Sequence, residues 1–310
     1  MQLIERLEDI KQPYKNAVIT IGNFDGVHIG HQALFQEVIE KADSIVGTSI
    51  AMTFDPHPIK FLNKNGPPQI TLYEQKIELI EKSNIDVLIC TPFSKEFSEL
   101  TARQFVEDIL VKRIGVKAVI VGGDYMFGRN REGNLDLLKT YGLEYGFEVI
   151  IADWINTSDK GNERISSTKI RELVMDGQIE KARKLLGRHY QIKGTVVTGR
   201  NRGGKLLGFP TANIHLDDEL CPKIGVYAVT VQYRDKRYKG VANIGYSPTF
   251  DDHIYTIEIH ILDFNENIYR EDIRVNFIKR LRDEIKFSDI HALSEQIKTD
   301  IAVARRIISL

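Results

Sequence analysis

The stretch VITIGNFDGVHIGHQALFQ, residues 18–36, joins an apolar strand to an amphipathic helix through a loop that contains glycines, an aspartate and two histidines. Gly22 lets the backbone turn tightly after the strand, and Gly30 opens a helix whose first amide groups have no partner within the helix. His28 and His31 are three residues apart, so both imidazoles can point at one ligand near the positive end of that helix. Phosphate is the natural ligand for such a site.

Two other interpretations of the histidine spacing remain open. A capped helix with two ordinary surface histidines gives the same pattern, because short motifs often match by chance. A metal site built on the two histidines is less favoured, because no third ligand lies nearby in the sequence.

Short apolar runs alternate with helical patterns on either side of this loop, from residue 17 to about residue 153. The predicted strands are AVITI, SIAMTF, DVLIC, KAVIV and FEVII. One of the helices between them, TLYEQKIELIEKS, is predicted to start with a capping box formed by Thr71 and Glu74. Such alternation is typical of a parallel sheet covered by helices, in which ligands gather beyond the carboxyl ends of the strands. The loop between the strand and the helix is therefore expected at the ligand edge of the sheet.

The pattern changes near residue 187, after two helical segments, STKIRELVMDG and QIEKARKLLG. Beyond it, alternating apolar and polar residues predict antiparallel strands in YQIKGTVVT, GVYAVTVQYRDKRYKGVANI, YTIEIHIL and DIRVNFIKRL. A last helix is predicted to start near Ser288. The sequence thus predicts two domains: an α/β domain over residues 1–187, and a small antiparallel β-barrel with a C-terminal helix over residues 188–310.

The composition is that of an ordinary globular chain, with 310 residues, 42% of them hydrophobic, and a formal net charge of -1. Because nucleic acids and anionic membranes attract a surplus of Lys and Arg, neither is expected as a partner. Cys90 and Cys221 are the only cysteines, which favours a reducing compartment without disulfides. No signal peptide and no run of transmembrane length is seen, so a cytoplasmic protein is expected, with its oligomeric state left open.

Four motifs occur together in the first half: GNFDGVHIGH, TFDPHP at residues 53–58, GGDYMFGRNREGN at 122–134 and ISSTKIR at 165–171. In this order they resemble the Rossmann-like nucleotidyltransferases, in the form seen in prokaryotic FAD synthetases. The resemblance implies transfer of AMP from ATP to FMN with release of pyrophosphate, His28 and His31 binding ATP phosphates and stabilising charge. The residues that it implies for binding ATP or flavin are Gly22, Phe24, Asp25, Gly30, Phe54, Pro56, Asp124, Phe127, Ser166, Ser167, Thr168 and Arg171.

These motifs make chemical sense, although each has an ordinary structural interpretation as well. The hydroxyls of ISSTKIR can meet a triphosphate at a helix start, or simply cap the helix. Phe54 and Pro56 can offer an apolar wall to a flavin, or belong to a rigid surface loop. Phe127 can stack on a ring or fill the core. Asp124 stands where several relatives carry Asn.

The second half contains TGRNRGGKLLGFPTANI, residues 198–214, a basic glycine-rich loop that suits phosphate. Thr211 and Asn213 are two apart in the following strand, so both side chains face the same side and can reach one magnesium ion or its phosphates. A plain polar strand face gives the same pattern.

The string GFPTAN, followed by GVYAV, VANIGYSPTF and EIHILDF, resembles the riboflavin kinase domain. On that resemblance, riboflavin is phosphorylated by ATP with Mg²⁺, and Glu258, which faces away from the isoleucines of YTIEIHIL, is the expected base. Gly204 and Arg270 depart from the pattern, since relatives often carry arginine and glycine there. The missing arginine at 204 removes a charge but leaves the backbone amides, so phosphate binding is expected to be weaker without loss of activity. The residues implied in nucleotide binding are Gly203, Gly204, Lys205, Gly208, Pro210, Thr211 and Asn213, with Thr211 and Asn213 also at the metal.

Together the two resemblances imply a bifunctional enzyme that makes FMN from riboflavin and FAD from FMN, with ATP and Mg²⁺ as cofactors and small molecules as partners. Two alternatives remain: a chain in which only the N-terminal adenylyltransferase works, and a flavin-binding regulator without turnover. His28, His31 and Glu258 speak against the regulator, because binding alone needs no base beside a substrate hydroxyl.

Overall fold

The computed structural model describes residues 1–63, 66–153, 164–198, 208–216, 218–246 and 255–308. The chain divides into two compact units, Met1–Ser167 and Thr168–Leu310. This division reflects packing within each unit and does not test where one working domain gives way to the next. The domain boundary near residue 187 therefore stays a prediction.

The first unit is built on a parallel sheet of six strands with the order β1-β4-β3-β2-β5-β6. All five residues of β2 are buried, as the continuous apolar run predicts for a central parallel strand. Ile19 and Met52 pack in a cluster on one face of the sheet, and Val18 and Ala51 in a cluster on the other. The strands are β1 Gln2–Ile4, β2 Ala17–Ile21, β3 Ser49–Asp55, β4 Val87–Pro92, β5 Val116–Gly122 and β6 Glu148–Ala152.

Helices connect these strands and cover the sheet. They are α1 Ile29–Ser44, α2 Pro58–Leu62, α3 Tyr73–Glu81, α4 Lys95–Ser98, α5 Ala102–Gln104, continuing as a π-helical segment Phe105–Ile114, and α6 Leu135–Tyr145, with short 3₁₀ turns at Leu7–Asp9 and Arg129–Arg131. The capping box predicted for α3 is wrong: the helix starts after Leu72, which makes no side-chain cap. The Thr71 hydroxyl instead accepts a hydrogen bond from the Gly26 amide, 45 residues away in sequence.

The second unit is a closed antiparallel barrel with helices before and after it. Helices α7 Ser167–Met175 and α8 Ile179–Leu186 correspond to the two predicted segments, and α8 ends at Gly187 in the left-handed conformation. The barrel order is β10-β11-β8-β7-β12-β9. Its strands are β7 Tyr190–Val197, β8 Ala212–His215, β9 Gly225–Tyr233, β10 Lys236–Tyr246, β11 Tyr255–Ile261 and β12 Asp272–Arg282.

The C-terminal helix α9 spans Ile290–Ile307, and the Asp289 side chain caps it by accepting from the Ala292 amide. It packs on β9 and β10, where Ala304 and Ile308 meet Ala228 in a small apolar cluster. The predicted fold class, a parallel α/β domain followed by an antiparallel barrel with a final helix, is confirmed. Over the described ranges, no helix combines the length and the apolar character that crossing a membrane requires.

Candidate active sites

The loop between β2 and α1 places the two histidines side by side at the start of the helix. His28 is the N-cap of α1, and its Nδ1 accepts a hydrogen bond from the His31 amide at 3.3 Å. The two imidazoles stack, with ring centroids 3.6 Å apart and planes 18° apart. Because Nδ1 of His28 accepts, the neutral ring carries its proton on Nε2. His28 thus carries a ring N–H donor at the positive end of a helix, with the His31 ring stacked beside it, an arrangement suited to an anion.

Two glycines of the loop leave room for the rings around them. A methyl group on Gly30 would lie 3.2 Å from Cε1 and Nδ1 of His28, and one on Gly22 would lie 2.8 Å from the ring of Phe24. Phe24 is buried and meets His31 edge-on, with centroids 5.3 Å apart. Gly22 and Gly30 therefore matter for the close approach of aromatic rings, a reason that their sequence positions did not reveal.

Asp25 holds the loop to the segment before α3. Its carboxylate is 4% exposed and accepts the amides of Ile70 and Thr71 at 3.0 and 3.1 Å. Its backbone oxygen accepts the hydroxyl of Ser167 at 2.8 Å. The structure thus brings the start of the ISSTKIR motif to the histidine loop. Direct contact of the Asp25 carboxylate with a ligand stays a prediction.

An aromatic cluster surrounds Phe54 at the end of β3. Its ring centroid lies 5.7 Å from that of Phe93 and 5.4 Å from that of Phe97, and Phe61 approaches Phe93 at 5.6 Å. Pro56 follows in the exposed loop, after a cis peptide bond from Asp55. Sequence reasoning missed Phe93 and Phe97, although they follow β4, the strand that pairs with β3.

The GGDYMFG motif forms a tight turn after β5. Phe127 is 6% exposed and stacks on Tyr125, with centroids 5.6 Å apart and planes 15° apart. Asp124 is exposed and forms an ion pair with Arg164 at 2.8 Å between Oδ2 and a guanidinium nitrogen. Arg164 was not singled out from the sequence; its place directly before ISSTKIR was the available signal.

The remaining residues of ISSTKIR lie at the start of α7. Ser166 precedes the helix, Ser167 is its first residue, and Thr168 is exposed in the first turn. Arg171 is half-buried one turn further along. Their contacts with a triphosphate stay predictions.

The barrel aligns three polar side chains across neighbouring strands. Glu258 on β11 pairs in register with Asn213 on β8 on one side and with Asn243 on β10 on the other. Ile257 and Ile259 are fully buried, whereas Glu258 is exposed on the outer face, as the alternation predicts. Sequence reasoning missed Asn243, because strand partners cannot be read from one strand alone.

The GFPTAN segment enters β8 beside β11. The carbonyl oxygen of Pro210 lies 2.8 Å from Nδ1 of His260, which donates to it. Gly208 adopts a φ of 77°, a left-handed conformation that favours glycine. Thr211 is half-buried directly before the strand. The predicted phosphate-loop residues Gly203, Gly204 and Lys205 lie outside the described residues.

The outer face of β8, β11 and β10 fits a general base and a magnesium site. Glu258 is exposed, yet the surrounding protein desolvates it enough to raise the pKa of its carboxyl, and the Glu284 carboxylate raises that pKa further. Thr211 and Asn213 offer neutral oxygens, which suit a Mg²⁺ ion that takes its other ligands from substrate phosphates. In the part of the chain that the structure describes, no group of three or more His, Cys, Asp or Glu side chains is arranged to hold a metal ion.

Comparison with known proteins identifies a family for each half of the chain. The FAD synthetase family model matches residues 10–169, and the riboflavin kinase family model matches residues 186–308. A bifunctional riboflavin kinase/FMN adenylyltransferase of Buchnera aphidicola (subsp. Schizaphis graminum) is 39% identical over 100% of both chains. The protein of the same name in Escherichia coli K12 is 38% identical, over 100% of this chain and 99% of its own. A Streptococcus pneumoniae crystal structure, described as a macrolide-efflux protein, is 34% identical with a TM-score of 0.87 and covers 98% of each chain.

The fold and the two sites define a two-module transferase of phosphorus-containing groups, with a nucleotidyltransferase followed by a kinase. The relatives are matched over their whole length, so both modules are present here. The chain belongs to the bifunctional riboflavin kinase/FMN adenylyltransferase family. The expectations of an enzyme that uses ATP, Mg²⁺ and flavins, and of small molecules as its partners, are confirmed.

Proposed function

We propose that the chain makes FAD from riboflavin in two ATP-dependent steps, each carried by the residues of its own site. The observation that supports the proposal is that one chain holds two separate clusters of polar side chains, each suited to a nucleotide. One is the stacked histidine pair at the start of α1, and the other is the row Asn213, Glu258 and Asn243 on the barrel.

In the adenylyl transfer, an FMN phosphate oxygen attacks the α-phosphorus of ATP and pyrophosphate leaves. His28 and His31 stabilise the negative charge that builds on the phosphates, helped by the positive end of the α1 dipole. Ser166, Ser167, Thr168 and Arg171 hold the triphosphate. Neither histidine forms a covalent bond.

The flavin of FMN lies against the aromatic cluster of Phe54, Phe93 and Phe97. Phe54 and Pro56 supply the apolar wall, and the exposed end of the loop admits the ring system.

In the kinase step, Glu258 takes the proton from the riboflavin 5′-hydroxyl, whose oxygen then attacks the γ-phosphorus of ATP and displaces ADP. Thr211 and Asn213 would hold a Mg²⁺ ion, which would supply positive charge to neutralise the phosphates. The loop with Gly203, Gly204, Lys205 and Gly208 binds the nucleotide phosphates. Asn243, on the other side of Glu258, orients the substrate hydroxyl.

Incubation of the chain with riboflavin, ATP and magnesium, followed by chromatographic separation of riboflavin, FMN and FAD, tests the proposal. Both FMN and FAD should form. Absence of both products would overturn it, and FAD formation from FMN without riboflavin phosphorylation would leave only the N-terminal adenylyltransferase.

We further propose that the working domains are residues 1–187 and 188–310 and that the chain works in the cytoplasm. The second family match begins at residue 186, next to the end of α8 at Leu186. Both Cys90 and Cys221 are free thiols, which suits a reducing compartment.

A further inference from the structure

Lys76 is a buried cation that neither proposed reaction step uses. It lies one turn into α3, is 5% exposed, and its Nζ donates a hydrogen bond to the carbonyl oxygen of Phe54 at 3.0 Å. Phe54 is the residue directly before Asp55 and Pro56 in the proposed flavin loop. The ammonium group is therefore hydrogen-bonded to the backbone where β3 passes into that loop.

The charges around Lys76 come from both ligand loops. Desolvation lowers the pKa of its ammonium, and the Cys90 thiol and the Asp55 and Asp25 carboxylates oppose that shift. Burial raises the pKa of Asp55, and Lys76 opposes it. A buried ammonium is costly unless nearby carboxylates and hydrogen bonds compensate it. Here one ammonium group interacts electrostatically with two carboxylates, Asp25 of the histidine loop and Asp55 at the end of β3.

The start of α3 is bonded to the same two loops. The Asp25 carboxylate accepts the amides of Ile70 and Thr71, and the Thr71 hydroxyl accepts from the Gly26 amide. One turn later, Lys76 bonds to Phe54. Helix α3 therefore bridges the loop proposed for phosphate and the loop proposed for flavin, although its own residues belong to neither motif.

We propose that Lys76 is a positioning residue for adenylyl transfer. It fixes the end of β3, where the proposed flavin loop begins, relative to the histidine loop between β2 and α1, so that the FMN phosphate meets the α-phosphorus of ATP. The inference rests on the proposed roles of these two loops. Lys76 touches neither substrate, since it is buried, and acts through the Phe54 carbonyl and the carboxylates of Asp25 and Asp55.

Replacing Lys76 should lower kcat more than it raises KM. A loop that shifts by about 1 Å can cost about a hundredfold in rate while substrate still binds. In K76M the side chain keeps its length but loses both donor and charge, so kcat for FAD formation from FMN should fall by about 10- to 100-fold. KM for ATP should stay within about twofold, and riboflavin phosphorylation by the same preparation should be unchanged.

K76Q separates the hydrogen bond from the charge, because glutamine can still donate to the Phe54 carbonyl. The kcat of K76Q for FAD formation should lie between those of the wild type and K76M. D55N removes one of the compensating carboxylates. The K76M substitution should therefore lower kcat for FAD formation less in the D55N background than in the wild type. The matched control is K82M, which removes an exposed lysine at the end of the same helix.

A purely structural lysine would give another result. K76M would then melt at a lower temperature yet keep the wild-type kcat for FAD formation at 25 °C, which would overturn the proposal. If K76M does not fold, K76Q decides by the same criterion. Should the wild type make no FAD from supplied FMN, the proposed function itself fails; if H31A loses adenylyl transfer while K76M and K76Q keep it, only the role of Lys76 fails.

Discussion

At the scale of single residues, the chemistry of each module depends on side chains that one strand or helix end presents to solvent. The half-buried His31 and the exposed Glu258 differ in this respect from His28 and Asp25, which are only 5% and 4% exposed. Residues of the first kind can be changed without disturbing the core, so their roles are separable from folding.

His31→Ala is expected to slow FAD formation from FMN by about a hundredfold or more, the usual cost of removing one group that stabilises transition-state charge. Riboflavin phosphorylation should be spared, because it belongs to the other module. Steady-state rates of both half-reactions measure this, with His291→Ala, an exposed histidine of α9, as the control. An unchanged adenylyl-transfer rate would remove His31 from the phosphate site.

Glu258→Gln is expected to slow FMN formation by about a hundredfold to ten-thousandfold, because the amide cannot take the hydroxyl proton. The side chain is exposed, so the free energy of unfolding should stay within about 1 kcal/mol of the wild type. Supplied FMN should still become FAD at the wild-type rate. Glu266→Gln, another exposed carboxylate of this unit, serves as the control; a normal kinase rate in Glu258→Gln would exclude it as the base.

At the scale of helices and strands, the positions of the candidate sites are set by where helices begin and by the register of neighbouring strands. Helix α1 starts at the histidines, α3 joins two loops, and β8, β11 and β10 align Asn213, Glu258 and Asn243. Helix α9 is fastened to the barrel through an ion pair: Asp300 is 5% exposed and accepts from Arg282 at 2.8 to 3.1 Å.

Gly30→Ala tests the helix start. Alanine favours the helix over glycine by up to about 1 kcal/mol, so the melting temperature should stay equal or rise. The added methyl group would stand 3.2 Å from the His28 ring and push it away from its place on His31. Adenylyl transfer should therefore slow by about tenfold, since small displacements of positioning groups are costly. A full adenylyl-transfer rate in Gly30→Ala would show that the histidine stack is not needed.

Asp300→Ala tests the attachment of α9. It leaves Arg282 with a charge that is only partly hydrated, and should lower the free energy of unfolding by about 2 kcal/mol, less than the cost for a fully buried pair. Urea unfolding, with riboflavin kinase activity as the probe of the folded state, measures the change in the free energy of unfolding. Glu295→Ala breaks an exposed pair with Lys298 on the same helix and should lower the free energy of unfolding far less than Asp300→Ala does. Equal effects of the two variants would contradict the role of the buried pair.

The sequence was sufficient for elements whose periodicity is local, and insufficient for contacts between distant segments. The alternation of YTIEIHIL correctly predicts that Glu258 faces outward, and the continuous apolar run AVITI correctly predicts a buried strand. Thr71 was assigned to the wrong partner, because Gly26 competes for its hydroxyl from 45 residues away. Asn243 and Lys76 were missed, since their importance depends on which strands and loops become neighbours.

At the scale of the whole chain, two compact units carry two family matches, and helices α7 and α8 span most of the stretch between those matches. Within the second unit α8 packs on β12 and β7, and Lys279 pairs with Glu180 at 3.5 Å. These helices should therefore stabilise the barrel, whichever module they serve.

A fragment of residues 188–310 is expected to fold and to make FMN but no FAD, because the barrel has its own core and its own nucleotide loop. A fragment of residues 168–310 should have the same kinase activity and a higher melting temperature, because it keeps the packing of α8. Chromatography of the flavin products and thermal unfolding of both fragments measure this. A folded 188–310 fragment without kinase activity would show that the modules are not independent.

The row of Asn213, Glu258 and Asn243 also limits how such a chain can change in length. In a strand, inserting or deleting one residue turns every following side chain to the opposite face. One deletion in β11 before Glu258 would place a carboxylate among the isoleucines of the barrel interior, and one in β10 before Asn243 would do the same to its amide. Changes of length are therefore expected in the segments that connect these strands, and not within β10 ahead of Asn243 or within β11 ahead of Glu258.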